Sequence, residues 1–165
     1  IQQEQAAEVK VINDQVDAQI ADMKQKQDKR VAEAKETLAR QERSSAELES
    51  KKLVLSKKKE ILNQAFEAAL VQLESMPADK KLAYYKAMVA SAKQIISEPK
   101  AVMSEKDNFS AEELGVVAVA KDASIRSGLI LQSGDGKSEV DMQYNVLLKN
   151  IWDSNLKQLS DILFG

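Results

Sequence analysis

Residues 9–38 read VKVINDQVDAQIADMKQKQDKRVAEAKETL, and the spacing of the apolar side chains in this stretch decides how the chain is built. Stepping by 3, 4 and 4 residues from Val9 reaches Val9, Ile12, Val16, Ile20, Met23, Gln27, Val31, Ala34 and Leu38, of which only Gln27 is polar. Heptad steps of 3 and 4 from the same start reach Val9, Ile12, Val16, Gln19, Met23, Lys26, Arg30, Glu33 and Thr37, of which only Val9, Ile12, Val16 and Met23 are apolar. The longer repeat therefore describes the stretch. Eleven residues in three turns is about 3.67 residues per turn, slightly more than an α-helix has, so the seam drifts in the sense that winds paired helices into a right-handed coiled coil.

The same helix extends in both directions. Neither Gly nor Pro occurs before Pro77, and Ala, Gln, Glu, Lys and Leu dominate, which favours one uninterrupted helix over residues 1–76, about 110 Å of rod. The period weakens between Glu42 and Lys59, where Leu48 and Leu55 fall outside the repeat and Lys57, Lys58 and Lys59 read as a solvated face. Leu62, Phe66, Ala69, Leu73 and Met76 then restore a stripe at heptad spacing, expected to pack on the domain that follows. Pro77 ends the rod, because Pro disfavours helix in the residue before it, and Asp79 is placed to cap the next helix.

Residues 77–165 predict a small α/β cap with a three- to four-stranded sheet, giving an α+β chain of two regimes. All seven aromatic residues lie at or beyond Phe66. Leu82, Tyr85, Val89, Ala92 and Ile96 recur at helical spacing, and Ser97-Glu98-Pro99 stops that helix. A short strand over 101–104 follows. Ser110-Ala111-Glu112-Glu113 has the form of a capping box. Residues 116–120 read as a central strand, and 129–132 with 139–142 as a hairpin around Ser133-Gly134-Asp135-Gly136. The final helix carries Leu148, Trp152, Leu156, Leu159 and Leu163 on one face. With Leu82, Val89, Ile96, Val117 and Ile130 these residues make the expected cap core.

Composition removes several chemistries. There is no Cys and no His, hence no disulfide, no thiolate ligand, no imidazole base and no nucleophilic triad. Formal charge is −2, from 24 basic and 26 acidic residues in local mixture, so nothing points to nucleic acid. No apolar run approaches the roughly 18 residues that span a bilayer, and direct membrane insertion is not expected. Gly136-Lys137-Ser138 imitates the end of a phosphate-binding loop, but the Gly required five positions earlier is Leu131, inside a strand. The expectation is no catalytic residue, no metal and no cofactor.

Gly128-Leu129-Ile130-Leu131-Gln132-Ser133-Gly134-Asp135-Gly136-Lys137, then Val140-Asp141, then an amphipathic helix ending Ile162-Leu163-Phe164-Gly165, resembles the closing segment of the E subunit, the peripheral-stalk component of V-type and archaeal A-type ATPases. The order of elements along the whole chain is similar too. Met142-Gln143 and Leu147 depart from the Asn-Thr and Arg common in that family, with the apolar frame kept. The resemblance implies a non-catalytic stator, cytoplasmic and peripheral to the membrane. Its implied partners are the helical G subunit, the N-terminal β-barrel of the head's non-catalytic B subunit, and the cytoplasmic part of the membrane component called a, or I in archaea. Rival readings are a flagellar or type III export stalk protein sharing rod and cap, a small nucleotide-binding protein, and a membrane-surface helix. The last lacks the aromatic anchors and basic polar face that such helices use.

Overall fold

The computed structural model describes residues 2–165. Its elements in chain order are α1 (Gln2–Glu74), α2 (Ala78–Ala92), β1 (Lys100–Ser104), α3 (Ala111–Leu114), β2 (Ala118–Asp122), β3 (Gly128–Gln132), β4 (Glu139–Gln143), α4 (Tyr144–Ser154) and α5 (Leu156–Phe164). The chain is α+β. It divides into two compact units, one ending at Ser56 and the other taking in Lys57–Gly165, so the division falls inside α1.

The first unit is helix alone, and every side chain from residue 3 to residue 56 is exposed. Its regularity follows from a run of good helix formers with no Gly or Pro.

The second unit is built on a four-stranded mixed sheet of order β2-β1-β3-β4. β1 pairs parallel with β2 and antiparallel with β3, and β3 pairs antiparallel with β4. The parallel pair is reached through α3, whose capping box is complete. Ser110 N–H donates to Glu113 Oε2 at 2.8 Å, Glu113 N–H donates to Ser110 Oγ at 3.1 Å, and Gly115 closes the helix at φ 71°. The Ser110 N–H first, and then the Ser110 hydroxyl, hold the Glu113 carboxyl below the usual carboxylate range.

One face of the sheet is dry. Ala101 and Met103 of β1 and Leu129 and Leu131 of β3 are fully buried against Leu70 of α1, Tyr85, Val89 and Ala92 of α2, Leu114 and Tyr144. The alternation is that of strands with one covered face. Strand period corrects one core assignment: Ile130 lies between Leu129 and Leu131, pairs with Val102 and Asp141, and is only half-buried on the opposite face.

Three further sequence expectations differ from the structure. β2 is an edge strand starting at Ala118, and Val117 just before it is 59% exposed, because β1 has β2 on one side and β3 on the other, leaving β2 a single neighbour. No side chain caps α2: its N-cap is Pro77, with Asp79 in the first turn. The final helix is two helices. Asn155, at φ −116° and ψ 15°, breaks the run, its side-chain Nδ2 donating at 2.8 Å to Ile151 O, the carbonyl that its backbone N–H also reaches at 3.1 Å. After that break α5 buries no residue, so Leu156 and Leu163 stay 43% exposed and Leu159 half-buried.

Candidate functional site

The apolar stripe of α1 is the feature of the first unit that calls for a ligand. Val9, Ile12, Val16, Ile20, Met23, Val31 and Leu38 are between 43% and 69% exposed, and Ala34 is exposed with them. At about 100° per residue these eight side chains fall in a sector roughly 100° wide, the width a single packed helix covers. The ion pairs Lys26–Asp22 (2.7 Å), Lys29–Glu33 (4.0 Å) and Arg40–Glu36 (3.3 Å) centre about 130° away around the helix. They are solvent-exposed i,i+4 pairs and contribute only a few tenths of a kcal/mol each. One side of the helix is thus suited to water and another to an apolar neighbour.

In the second unit, Leu82 and Leu148 pack partly buried on the core, Val89 and Ile96 are buried, and Trp152 is half-buried with its ring edge-on to Phe66 at 5.4 Å. Phe66, Leu62 and Lys59 of α1 with Lys149, Trp152 and Leu156 line a groove of about 340 Å³. Lys58 sits over the Phe164 ring at 5.2 Å, a cation–π contact to α5.

Periodicity misses a buried polar joint. Tyr85 Oη donates to Asp107 Oδ2 at 2.5 Å and accepts from Gly128 N–H at 2.9 Å, while Lys81 Nζ donates to Asp107 Oδ1 at 3.0 Å. Asp107 is 5% exposed. Burial, then the Asp107 hydrogen bond, drives the Tyr85 hydroxyl far above its ordinary range. Burial, then the Asp107 charge, pushes Tyr144 up to about 12. The Tyr85 hydroxyl and both carboxylate oxygens of Asp107 are therefore committed within the fold, which ties α2 to the start of β3. Arg126 forms a second tie, its guanidinium reaching Glu67 at 2.8 Å and Glu74 at 2.9 Å, both on α1. No sequence period links Arg126 to those glutamates, so only the fold reveals the clamp.

Two consequences are measurable. Tyr85→Phe removes the donor to a buried carboxylate and the acceptor for Gly128 N–H, and is expected to cost about 3 kcal/mol in urea unfolding. Tyr144→Phe removes a buried hydroxyl that has no hydrogen-bond partner in the fold, and is expected to change stability by less than about 0.5 kcal/mol. Both tyrosines hold their protons in the folded state beyond the unfolded value of 10.0. Their contribution is thus complete below pH 10 and falls as pH rises above it, toward 12 for Tyr144 and beyond that for Tyr85, because the unfolded chain releases protons that the folded chain keeps. Thermal unfolding followed with phenolate absorbance should show this alkaline fall, reduced in Tyr144→Phe.

Gly136-Lys137-Ser138 lies in the β3–β4 turn. Asp135 Oδ1 accepts from Ser133 Oγ at 2.6 Å and from Lys137 N–H at 3.1 Å, and Ser133 N–H donates to Ser138 O at 2.9 Å. The Ser133 hydroxyl first, then the Lys137 N–H, lowers the Asp135 carboxyl below its ordinary range. The turn thus uses its own donors on its own carboxylate. Among the described residues no group of three or more Asp or Glu side chains is arranged to hold a metal ion, and no helix is long and apolar enough to cross a membrane.

No protein-family model matches the chain. Curated relatives do. The E subunit of the A-type ATP synthase of Methanosarcina acetivorans is 32% identical over an alignment covering 100% of this chain and 95% of the relative. The chain belongs to the A-type ATP synthase E-subunit family. The E subunit of Methanococcoides burtonii is 33% identical over 96% of this chain and 91% of its own length, and that of Methanoculleus marisnigri is 33% identical over 75% and 68%. With the E-subunit alignment running the length of the chain, the exposed stripe on α1 and the mixed-sheet unit both lie within the matched region.

Proposed function

We propose that this chain is the non-catalytic stator component of a rotary A-type or V-type ATPase, pairing through α1 with the helical G subunit and linking the catalytic head to the membrane sector. The observation that carries the proposal is the exposed stripe from Val9 to Leu38 in a member of the E-subunit family. A lone helix with one apolar side and no tertiary neighbour is marginal in water, and a second helix on that side removes the exposed Val, Ile and Leu from solvent. The 11-residue period makes the pairing right-handed. Residues 1–76 act as the partner-binding rod and 77–165 as the head-binding cap, which seats on the N-terminal barrel of the B subunit while the other end reaches the cytoplasmic part of the membrane component a (I in archaea). The chain is cytoplasmic and peripheral to the membrane, and its mechanism is mechanical: it resists rotation of the head while the rotor turns, coupling ATP hydrolysis or synthesis to ion transport.

Ile20→Asp tests the pairing. It puts a carboxylate into a dry seam, where it must hold water and splay the helices or take up a proton, and the dissociation constant for the G subunit is expected to rise about 100-fold. Asp22→Asn, off the stripe and in the exposed pair with Lys26, should leave it unchanged within about twofold. Equal responses from the two variants would mean that the partner does not use this side of α1.

A further inference from the structure

Met23 is the most exposed large apolar side chain on the stripe, at 69%, whereas Met103 is fully buried and Met76, Met88 and Met142 are half-buried against the core. In the unpaired chain, one thioether of five is open to solvent. A thioether reacts with hydrogen peroxide by donating a sulfur lone pair to one peroxide oxygen. The O–O bond breaks, an S–O bond forms, and the departing hydroxide takes up the proton from the transferred oxygen, giving one methionine sulfoxide and one water. An apolar, flexible side chain becomes a strong hydrogen-bond acceptor.

The position makes that change costly for pairing. Four residues on, the next stripe position is Gln27, the single polar member of the series. With Met23 oxidised, two successive layers of the seam are polar. The nearest apolar layers are then Ile20 and Val31, eleven residues and about 16 Å apart along the helix. Burying the sulfoxide oxygen without a donor carries the penalty of any unpaired polar group in a dry interface. Once a partner helix covers the stripe, the same sulfur is closed to peroxide.

We propose that Met23 is an oxidation site that gates assembly: hydrogen peroxide converts it to the sulfoxide in the unpaired chain, the oxidised chain pairs poorly, and pairing shields the sulfur. This rests on the reading of residues 9–38 as the partner seam.

The test treats the full chain with hydrogen peroxide, maps each methionine by peptide mass spectrometry, and measures the dissociation constant for the purified G subunit before and after. Met23→Leu, which keeps the seam apolar, is carried through the same treatment. The expected result is oxidation at Met23 ahead of the other four methionines, pairing of the native chain weakened about tenfold or more, no change on treatment in the affinity of Met23→Leu measured against its own untreated value, and recovery of the native chain after methionine sulfoxide reductase. Pairing unaffected by complete oxidation of Met23, while Ile20→Asp still weakens it, would overturn the gate and leave the seam in place. Indifference to both changes, or no binding of the G subunit by the untreated chain, would overturn the seam and the gate together. Oxidation at Met103 as fast as at Met23 would also overturn the gate, because the sulfur would then hold no special exposure.

Discussion

Gly128→Ala is expected to lower the stability of the Lys57–Gly165 unit by about 4 kcal/mol, a fall in melting temperature of about 20 °C. Gly128 opens β3 at φ 90°, outside the range of ordinary L-residues, and its N–H is held by Tyr85 Oη. A Cβ there would stand 2.5 Å from Met142 O, 2.6 Å from Gln143 Cα and 2.7 Å from Tyr144 N, all backbone atoms of the strand and helix beside it. No rotamer relieves such contacts, so β3 must shift against β4 and α4. The shift also pulls on Tyr85, and through it on the buried Asp107 and Lys81. Gly134→Ala is the matched control, since a Cβ at that position meets nothing within 4 Å and its φ is not positive. Differential scanning calorimetry of the two variants decides the matter. A Gly128→Ala protein that melts with Gly134→Ala would show that the strand start tolerates a side chain and that the joint is not what holds it.

Removal of residues 129–165 is expected to abolish binding to the ATPase head while sparing the pairing of α1 with the G subunit. The truncation deletes all of β3 beyond Gly128, together with β4, α4 and α5, and takes Leu129, Leu131 and Tyr144 from the core. β1 then loses its antiparallel neighbour and Tyr85 its contact with Tyr144, leaving too little apolar burial to offset the conformational entropy of the remainder. The stripe at residues 9–38 belongs to the other compact unit and keeps its side chains. Pull-down of purified heads should fall to background with the truncated chain, while the dissociation constant for the G subunit stays within about threefold of the full chain's. Retained head binding would locate the docking surface on α1 and not on the cap.

Much of this architecture is legible in the sequence because periodicity reports directly on single helices and hairpins. The unbroken α1, the Ser110 capping box, and the β3–β4 hairpin with its Gly136 turn follow from local chemistry. Spacing cannot tell which face of a strand is covered when both carry apolar residues. Hence the sequence alone points Ile130 into the core while Leu129 and Leu131 occupy it, and points Val117 inward while it precedes an edge strand. The terminal amphipathic run looks like one core helix because Leu148, Trp152, Leu156, Leu159 and Leu163 keep helical spacing across Asn155, yet the backbone turn there leaves α5 without a buried residue. The Tyr85–Asp107–Lys81 joint and the Arg126 clamp join residues 22 to 59 positions apart, and no local pattern marks such pairs. The α1 stripe itself is plain in the sequence, since it depends on one helix only.

The stator role is tested most directly by measuring ATP hydrolysis and ion uptake side by side in vesicles reconstituted with the full chain or with the chain lacking residues 129–165. Hydrolysis by the heads is expected to persist with the truncated chain while ion uptake collapses, because nothing then resists rotation of the head. Ion uptake that remains coupled to hydrolysis with the truncated chain would contradict the stator role, as would heads whose hydrolysis is lost for want of this chain.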